Sequence, residues 1–157
     1  LRSMALPFAK LSKAAKLRNY PAAMRKLMLE ALFYLAWGRI MKMRPFAKVS
    51  PSLGDYMQET TYESDRDAHR QAVQISKALH LVSPHVFWET ECLVMAFAAM
   101  KMLERRKLPS TLYLGMRRDD KGSNAAHAWL RSGRFYLTGA KEIEQYTVVG
   151  RFAKQFN

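Results

Sequence analysis

Residues Thr90 to Arg106 read TECLVMAFAAMKMLERR, and the fold follows from them. Cys92, Met95, Ala96, Ala99 and Leu103 recur at helical intervals, which gathers apolar side chains on one stripe. Lys101, Glu104, Arg105 and Arg106 crowd the far end, where cations suit the negative pole of a helix dipole. The spacing therefore predicts a helix over about 90–106, with Cys92 near its start. Past Pro109 the period drops to that of strands. Residues 111–116, 126–130, 134–138 and 146–152 read as a small antiparallel sheet, with Ser132-Gly133 as a tight hairpin and 117–124 as a longer polar loop. Helices first and strands afterwards make an α+β domain.

Upstream, Met24, Leu27, Met28, Ala31 and Leu35 share a helical face between Pro21 and Gly38, which predicts a helix over 22–37 ending at that glycine. Leu29, Phe33 and Tyr34 widen its apolar surface beyond one stripe, so it is either central to the core or covered by a partner. Residues 7–18 read as a short basic amphipathic helix with Phe8, Leu11 and Ala15 inward. Residues 43–62 lose their period around Pro45, Pro51, Ser52 and Gly54 and read as a connection lying over the domain. A further helix has Ala68, Ala72, Ile75, Leu79 and Val82 on one face, Ser64 as N-cap and Asp65 and Asp67 in its first turn.

A chain of 157 residues, 49% of them apolar, holds one respectable core and hardly two. We read a basic N-terminal segment at 1–21 and one domain at 22–157, with Met4 as the natural start. The formal charge is +13, and residues 1–50 hold eleven Lys or Arg against the single acid Glu30. Such a block suits docking to an acidic protein or peptide, an anionic membrane or nucleic acid, or is simply a solvated helical face. Nucleic acid is disfavoured, because the charge lies on a helix and is not interleaved with strand aromatics. The longest apolar run, 27–37, falls well short of the roughly 20 residues of a membrane span, and no cleavage site follows the basic stretch. A cytoplasmic protein without a membrane span is expected.

Cys92 is the only cysteine, so intramolecular disulfides and multi-cysteine zinc sites are excluded. A lone cysteine on an apolar helical face is commonly a small core residue. Two features favour chemistry: a helix start exposes the thiol to the positive pole of the dipole, and His127 on the second strand could take its proton. The backbone N–H of Cys92 would then face developing negative charge. Trp88 and Trp129 flank the pair in sequence and are either walls of a substrate cleft or ordinary core aromatics. His69, His80 and His85 lack metal-ligand spacing, and there is no glycine-rich phosphate loop, so neither metal nor cofactor is expected.

Trp88-Glu89-Thr90-Glu91-Cys92-Leu93, Met102-Leu103-Glu104-Arg105-Arg106, Leu112-Tyr113-Leu114-Gly115, and above all Ala126-His127-Ala128-Trp129-Leu130 with Gly133 and Thr138-Gly139 form an ordered set. Together with Phe46 and Leu53-Gly54, this set resembles the stand-alone leader peptidases of lasso-peptide biosynthesis, which are transglutaminase-like cysteine proteases, over about residues 22–152. The resemblance implies a papain/transglutaminase-like fold and a thiol protease that removes the leader of a ribosomally made precursor peptide before macrolactam closure. It makes Cys92 the nucleophile and His127 the general base. It also implies a separate winged-helix-type leader-recognition protein as partner and an ATP-dependent lasso cyclase as the next enzyme. The family often has an acid about twelve positions after the histidine; here that position is Gly139, the nearest acids downstream are Glu142 and Glu144, and a backbone carbonyl or the Thr138 hydroxyl could orient the imidazole instead.

The basic N-terminal half has no catalytic use in this reading. Arg18, Arg25 and Lys26 are expected to steer the leader or its recognition protein, with Phe33 or Tyr34 as apolar anchors. The competing reading is a transglutaminase-like module that only binds a peptide or scaffolds the maturation complex without catalysis.

Overall fold

The computed structural model describes residues 16–157. The helix predicted at 7–18 falls almost wholly outside the described residues. The helical part comprises α1 (Ala22–Met43), the single turn α2 (Phe46–Val49), α3 (Arg66–Val82) and α4 (Cys92–Glu104). The strands are β1 (Asp55–Tyr56), β2 (Ser110–Arg118), β3 (Asn124–Ser132), β4 (Phe135–Thr138) and β5 (Thr147–Lys154). They form one antiparallel sheet in the order β1-β5-β2-β3-β4. The α+β architecture is thus the one read from the sequence.

Three expectations need correcting, each for a physical reason. Gly38 does not end α1, which continues to Met43. A Cβ at Gly38 would lie 2.9 Å from the carbonyl oxygen of Val94, so the glycine lets the α1 and α4 backbones approach. Residues 43–62 are more than a connection, because Asp55 and Tyr56 pair with Ala153 and Phe152 and form the sheet edge. In addition, the N-cap of α3 is Asp65, one residue later than expected; its carboxylate accepts from the Ala68 N–H at 2.7 Å.

Alternation along the strands gives the sheet two different faces. Leu112, Ala128, Leu130, Leu137 and Phe152 join the helical core, which α1, α3 and α4 supply with Leu35, Ile75, Val94 and Phe97. Tyr113, Trp129 and Arg131 leave the other face, where residues 59–62 cover Tyr113 and Arg131. Arg131 is fully buried there. Its guanidinium donates to the carbonyls of Gly133 at 2.7 Å, Thr60 at 2.9 Å and Thr61 at 3.2 Å, to the Tyr113 hydroxyl at 3.0 Å and to Thr111 Oγ1 at 3.3 Å, and it lies 3.7 Å from the Tyr62 ring centroid. One desolvated cation with every donor engaged thus latches the 59–62 segment to the sheet.

At the other end of α4, Glu30 of α1 accepts both Arg106 nitrogens at 2.8 Å, and Arg105 lies 3.1 Å away. Burial raises the Glu30 pKa, but the bonds and charges of Arg106 and Arg105 outweigh it and hold the carboxyl below the ordinary range.

Candidate active site

Cys92 is the first residue of α4, after Glu91 at the N-cap. Glu91 makes no side-chain cap bond; its carboxylate pairs instead with Lys42 near the end of α1. The first N–H groups of a helix have no intrahelical partner, so these remain aimed outward beside the thiol. The thiol is free and half-buried, against the edge of the core.

His127 sits on β3 opposite Gly115 of β2. Its Nε2 lies 2.8 Å from the carbonyl oxygen of Gly139. A carbonyl can only accept, so Nε2 carries the proton and, in the neutral ring, Nδ1 keeps its lone pair. Gly139 is the position where the sequence resemblance leads one to expect an acid, and its backbone oxygen is the acceptor found there. The residue has φ +68°, and a Cβ on it would come within 2.4 Å of the Ala128 carbonyl oxygen and 2.9 Å of Trp129 Cβ. Only glycine fits without displacement. The Thr138 hydroxyl, another orienting group considered from the sequence, is buried without a hydrogen-bond partner.

The imidazole belongs to a row of rings on the outer sheet face. Trp129 lies 5.6 Å from it between centroids and Tyr146 5.0 Å, both tilted by about thirty degrees. Trp129 stacks in turn on Tyr113 at 5.6 Å and 11°, and Arg117 lies over Tyr146 at 5.1 Å. Gly115 makes room for this row, because a Cβ there would meet the Trp129 ring at 2.8 Å and Tyr146 at 2.9 Å. Burial first, and then the bond to Glu59 at 2.7 Å, push the Tyr113 phenol well above its ordinary pKa, so it serves as a neutral prop.

Lys107, at φ 53°, lies in the turn that joins α4 to β2. Cys92 opens α4, and His127 faces Gly115 across β3 and β2. They start from different layers: α4 packs on the inner sheet face, and the imidazole leaves β3 on the outer one. Among the described residues no hydrogen bond joins thiol and imidazole.

Trp129 is almost completely buried, while Trp88 is half-buried against the core with an unpartnered indole Nε1. Arg18, Arg25, Lys26 and Phe33 are exposed, whereas Tyr34 packs partly into the core beside Phe33 and Trp37. Arg25 lies about 25 Å along α1 from Lys42 by helical rise, so the basic end is remote from Cys92. Tyr146 and the buried Arg131 were not singled out from the sequence; the two-residue alternation His127, Trp129, Arg131 was the available signal for the latter. Among the described residues no group of three or more His, Cys, Asp or Glu could hold a metal ion, and no helix is long and apolar enough to cross a membrane.

A family model described as the transglutaminase-like superfamily matches residues 31–151, well over half of the chain. No curated protein and no solved structure gives a significant match.

Proposed function

The chain belongs to the transglutaminase-like superfamily, and from that premise we propose that it is a cysteine peptidase that cleaves the leader from a lasso-peptide precursor. The observation that carries the catalytic reading is the Nε2 contact of His127 with the Gly139 carbonyl, which leaves Nδ1 as the basic nitrogen. In this reading Nδ1 takes the Cys92 proton, and the thiolate attacks the scissile carbonyl carbon. The oxyanion forms beside the Cys92 N–H at the start of α4. As the intermediate collapses, the imidazolium protonates the departing amine and a thioester remains. The imidazole then deprotonates water, which attacks the thioester and releases the carboxylate and the thiol. Trp88 acts as a wall of the substrate cleft, while the buried Trp129 backs the imidazole without reaching the substrate.

The finer specificity rests on the ordered motifs that resemble lasso leader peptidases. A separate leader-recognition protein presents the precursor, a cyclase consumes the product, and the reaction takes place in the cytoplasm. Since thiol and imidazole are not hydrogen-bonded, the non-catalytic scaffold is the specific alternative. Alkylation by iodoacetamide separates the two: peptidase chemistry requires Cys92 to react at neutral pH far faster than free cysteine, and His127→Ala to slow it. Mass spectrometry of a full-length precursor incubated with the protein and its recognition partner then tests the substrate. Cleavage that survives Cys92→Ala would end the peptidase reading, and fast alkylation without cleavage would end only the lasso assignment.

A further inference from the structure

The outer side of α1 carries an apolar seam that the rest of the described fold leaves open. Leu29, Phe33, Ile40 and Met43 are 68%, 64%, 61% and 71% exposed, and with Ala36 they follow one another at steps of four, three, four and three residues. This is the spacing of a helix–helix seam, and it is narrower than the broad apolar face of a helix lying in a membrane surface. The opposite side of the same helix, with Met24, Ala31, Leu35 and Gly38, is already spent on the core. At the N-terminal end the seam opens into a groove of about 470 Å³, walled by Leu29 and Leu32 of α1, Tyr20, and Leu81 and Val82 of α3.

The charges beside the seam choose the occupant. Arg25, Lys26 and Arg39 flank it, and among the described residues none of the three is in an ion pair. The one acid of α1, Glu30, is taken by Arg105 and Arg106. A second copy would bring these cations against their own kind, which costs binding. The chain's own residues 1–15 carry Arg2, Lys10 and Lys13 and no acid, so they have the wrong sign as well.

We propose that the outer face of α1 is a docking surface for an acidic amphipathic helix of a different protein, seated on the Leu29–Phe33–Ile40–Met43 seam with one apolar side chain in the groove. The partner's acids meet Arg25, Lys26 and Arg39, which raises the association rate, while burial of Phe33 and Ile40 holds the complex. The surface is independent of Cys92 chemistry, so the proposal survives or fails without the peptidase reading.

The test uses the whole protein and a labelled amphipathic peptide of about three heptads with leucines at the seam positions and glutamates beside them. A second peptide differs only in having lysines for the glutamates. The glutamate peptide is expected to bind and the lysine peptide not to. Phe33→Glu or Ile40→Glu should weaken binding about 30-fold, as loss of a central anchor does. Both positions are exposed, so the variants should melt like the parent. Arg25→Glu with Lys26→Glu should weaken binding more at low than at high salt. The proposal is overturned if the glutamate peptide does not bind or if both peptides bind equally. It is also overturned if the protein alone sediments as a dimer that Ile40→Glu dissociates. Adsorption to phosphatidylcholine–phosphatidylglycerol vesicles that Ile40→Glu abolishes and the glutamate peptide cannot displace would assign the seam to a membrane instead.

Discussion

Gly139→Ala is the sharpest perturbation of the candidate site, because it changes one methyl group and touches the imidazole only through the backbone. The left-handed φ of +68° costs an alanine about 1–2 kcal/mol. The new Cβ would also lie 2.4 Å from the Ala128 carbonyl oxygen and 2.9 Å from Trp129 Cβ. Neither neighbour is a free side-chain end, so the β3–β4 junction must open, and such overpacking costs about 1–3 kcal/mol. The expected loss of stability is therefore about 2–5 kcal/mol. Opening the junction carries the Gly139 carbonyl away from His127 Nε2, and a misplacement near 1 Å costs about 100-fold in turnover. Urea unfolding measures the first effect, and the second-order rate of Cys92 alkylation by iodoacetamide measures the second. Gly139→Asp places an acid there but on the same crowded backbone, so it should lower reactivity too. Unchanged alkylation by a folded but destabilised variant would sink the orienting role of the carbonyl while leaving the packing argument standing. Native stability in the alanine variant would refute the packing argument itself.

Glu30→Gln should destabilise the fold by about 1–2 kcal/mol at neutral pH, since it breaks a half-buried bidentate pair with Arg106. The Glu30 pKa is depressed in the folded state, so its contribution is present above the ordinary carboxylate range and lost as pH falls through the folded value. The stability-against-pH curve of the glutamine variant should be flatter on its acid limb, and an unchanged limb would refute this. Arg131→Leu leaves the Thr60, Thr61 and Gly133 carbonyls without their donor and should cost about 3–5 kcal/mol. Proteolysis would then begin in 57–64 if the latch reading is right, and at an unrelated loop if it is wrong. Tyr113 has a raised pKa in the fold, so above about pH 10 the unfolded phenol ionises first and stability falls; Tyr113→Phe should remove that alkaline loss in a denaturation series. Gly38→Ala gains about 1 kcal/mol of helix propensity but sets a Cβ 2.9 Å from the Val94 carbonyl oxygen, and because a helical backbone cannot yield there, a net fall in melting temperature is expected.

The parts of the fold legible in the sequence were those with a period. α4 and the β2–β3–β4 hairpins announce themselves by switching from helical to alternating spacing around Pro109, and their ends fell within a few residues. β1 has two residues and therefore no period; it exists because the Phe152–Ala153 edge of β5 is there to receive it. Gly38 misled because a glycine after an apolar helix signals a stop as readily as a close crossing, and only the partner backbone at Val94 tells them apart. At the site, Cys92 and His127 could be named from residue type and motif. The orienting group stayed open among the downstream acids Glu142 and Glu144, the Thr138 hydroxyl and an unspecified backbone carbonyl, because the Gly139 contact is made by a main-chain oxygen, which every residue carries.

The two proposed surfaces meet on a single rigid element. α1 turns its exposed seam outward and its Gly38 face toward α4, while Lys42, close to Ile40 and Met43, pairs with Glu91 immediately before Cys92. Packed helices keep their axes about 8–10 Å apart. A partner helix on the seam would therefore have its axis about 16–20 Å from that of α4, on the far side of α1. An extended peptide tethered to that partner covers the distance with about six residues at 3.3 Å each, before any detour around α1. A tether of this length holds its free end at millimolar effective concentration, so weak subsites beside Cys92 suffice when the substrate arrives on a docked partner. Under both proposals the exposed seam of α1 would supply the affinity and the Cys92 end the chemistry. Shortening the peptide between the docked helix and the scissile bond below about six residues should abolish cleavage without changing affinity. Equal cleavage of shortened and full-length substrates would separate the seam from the site.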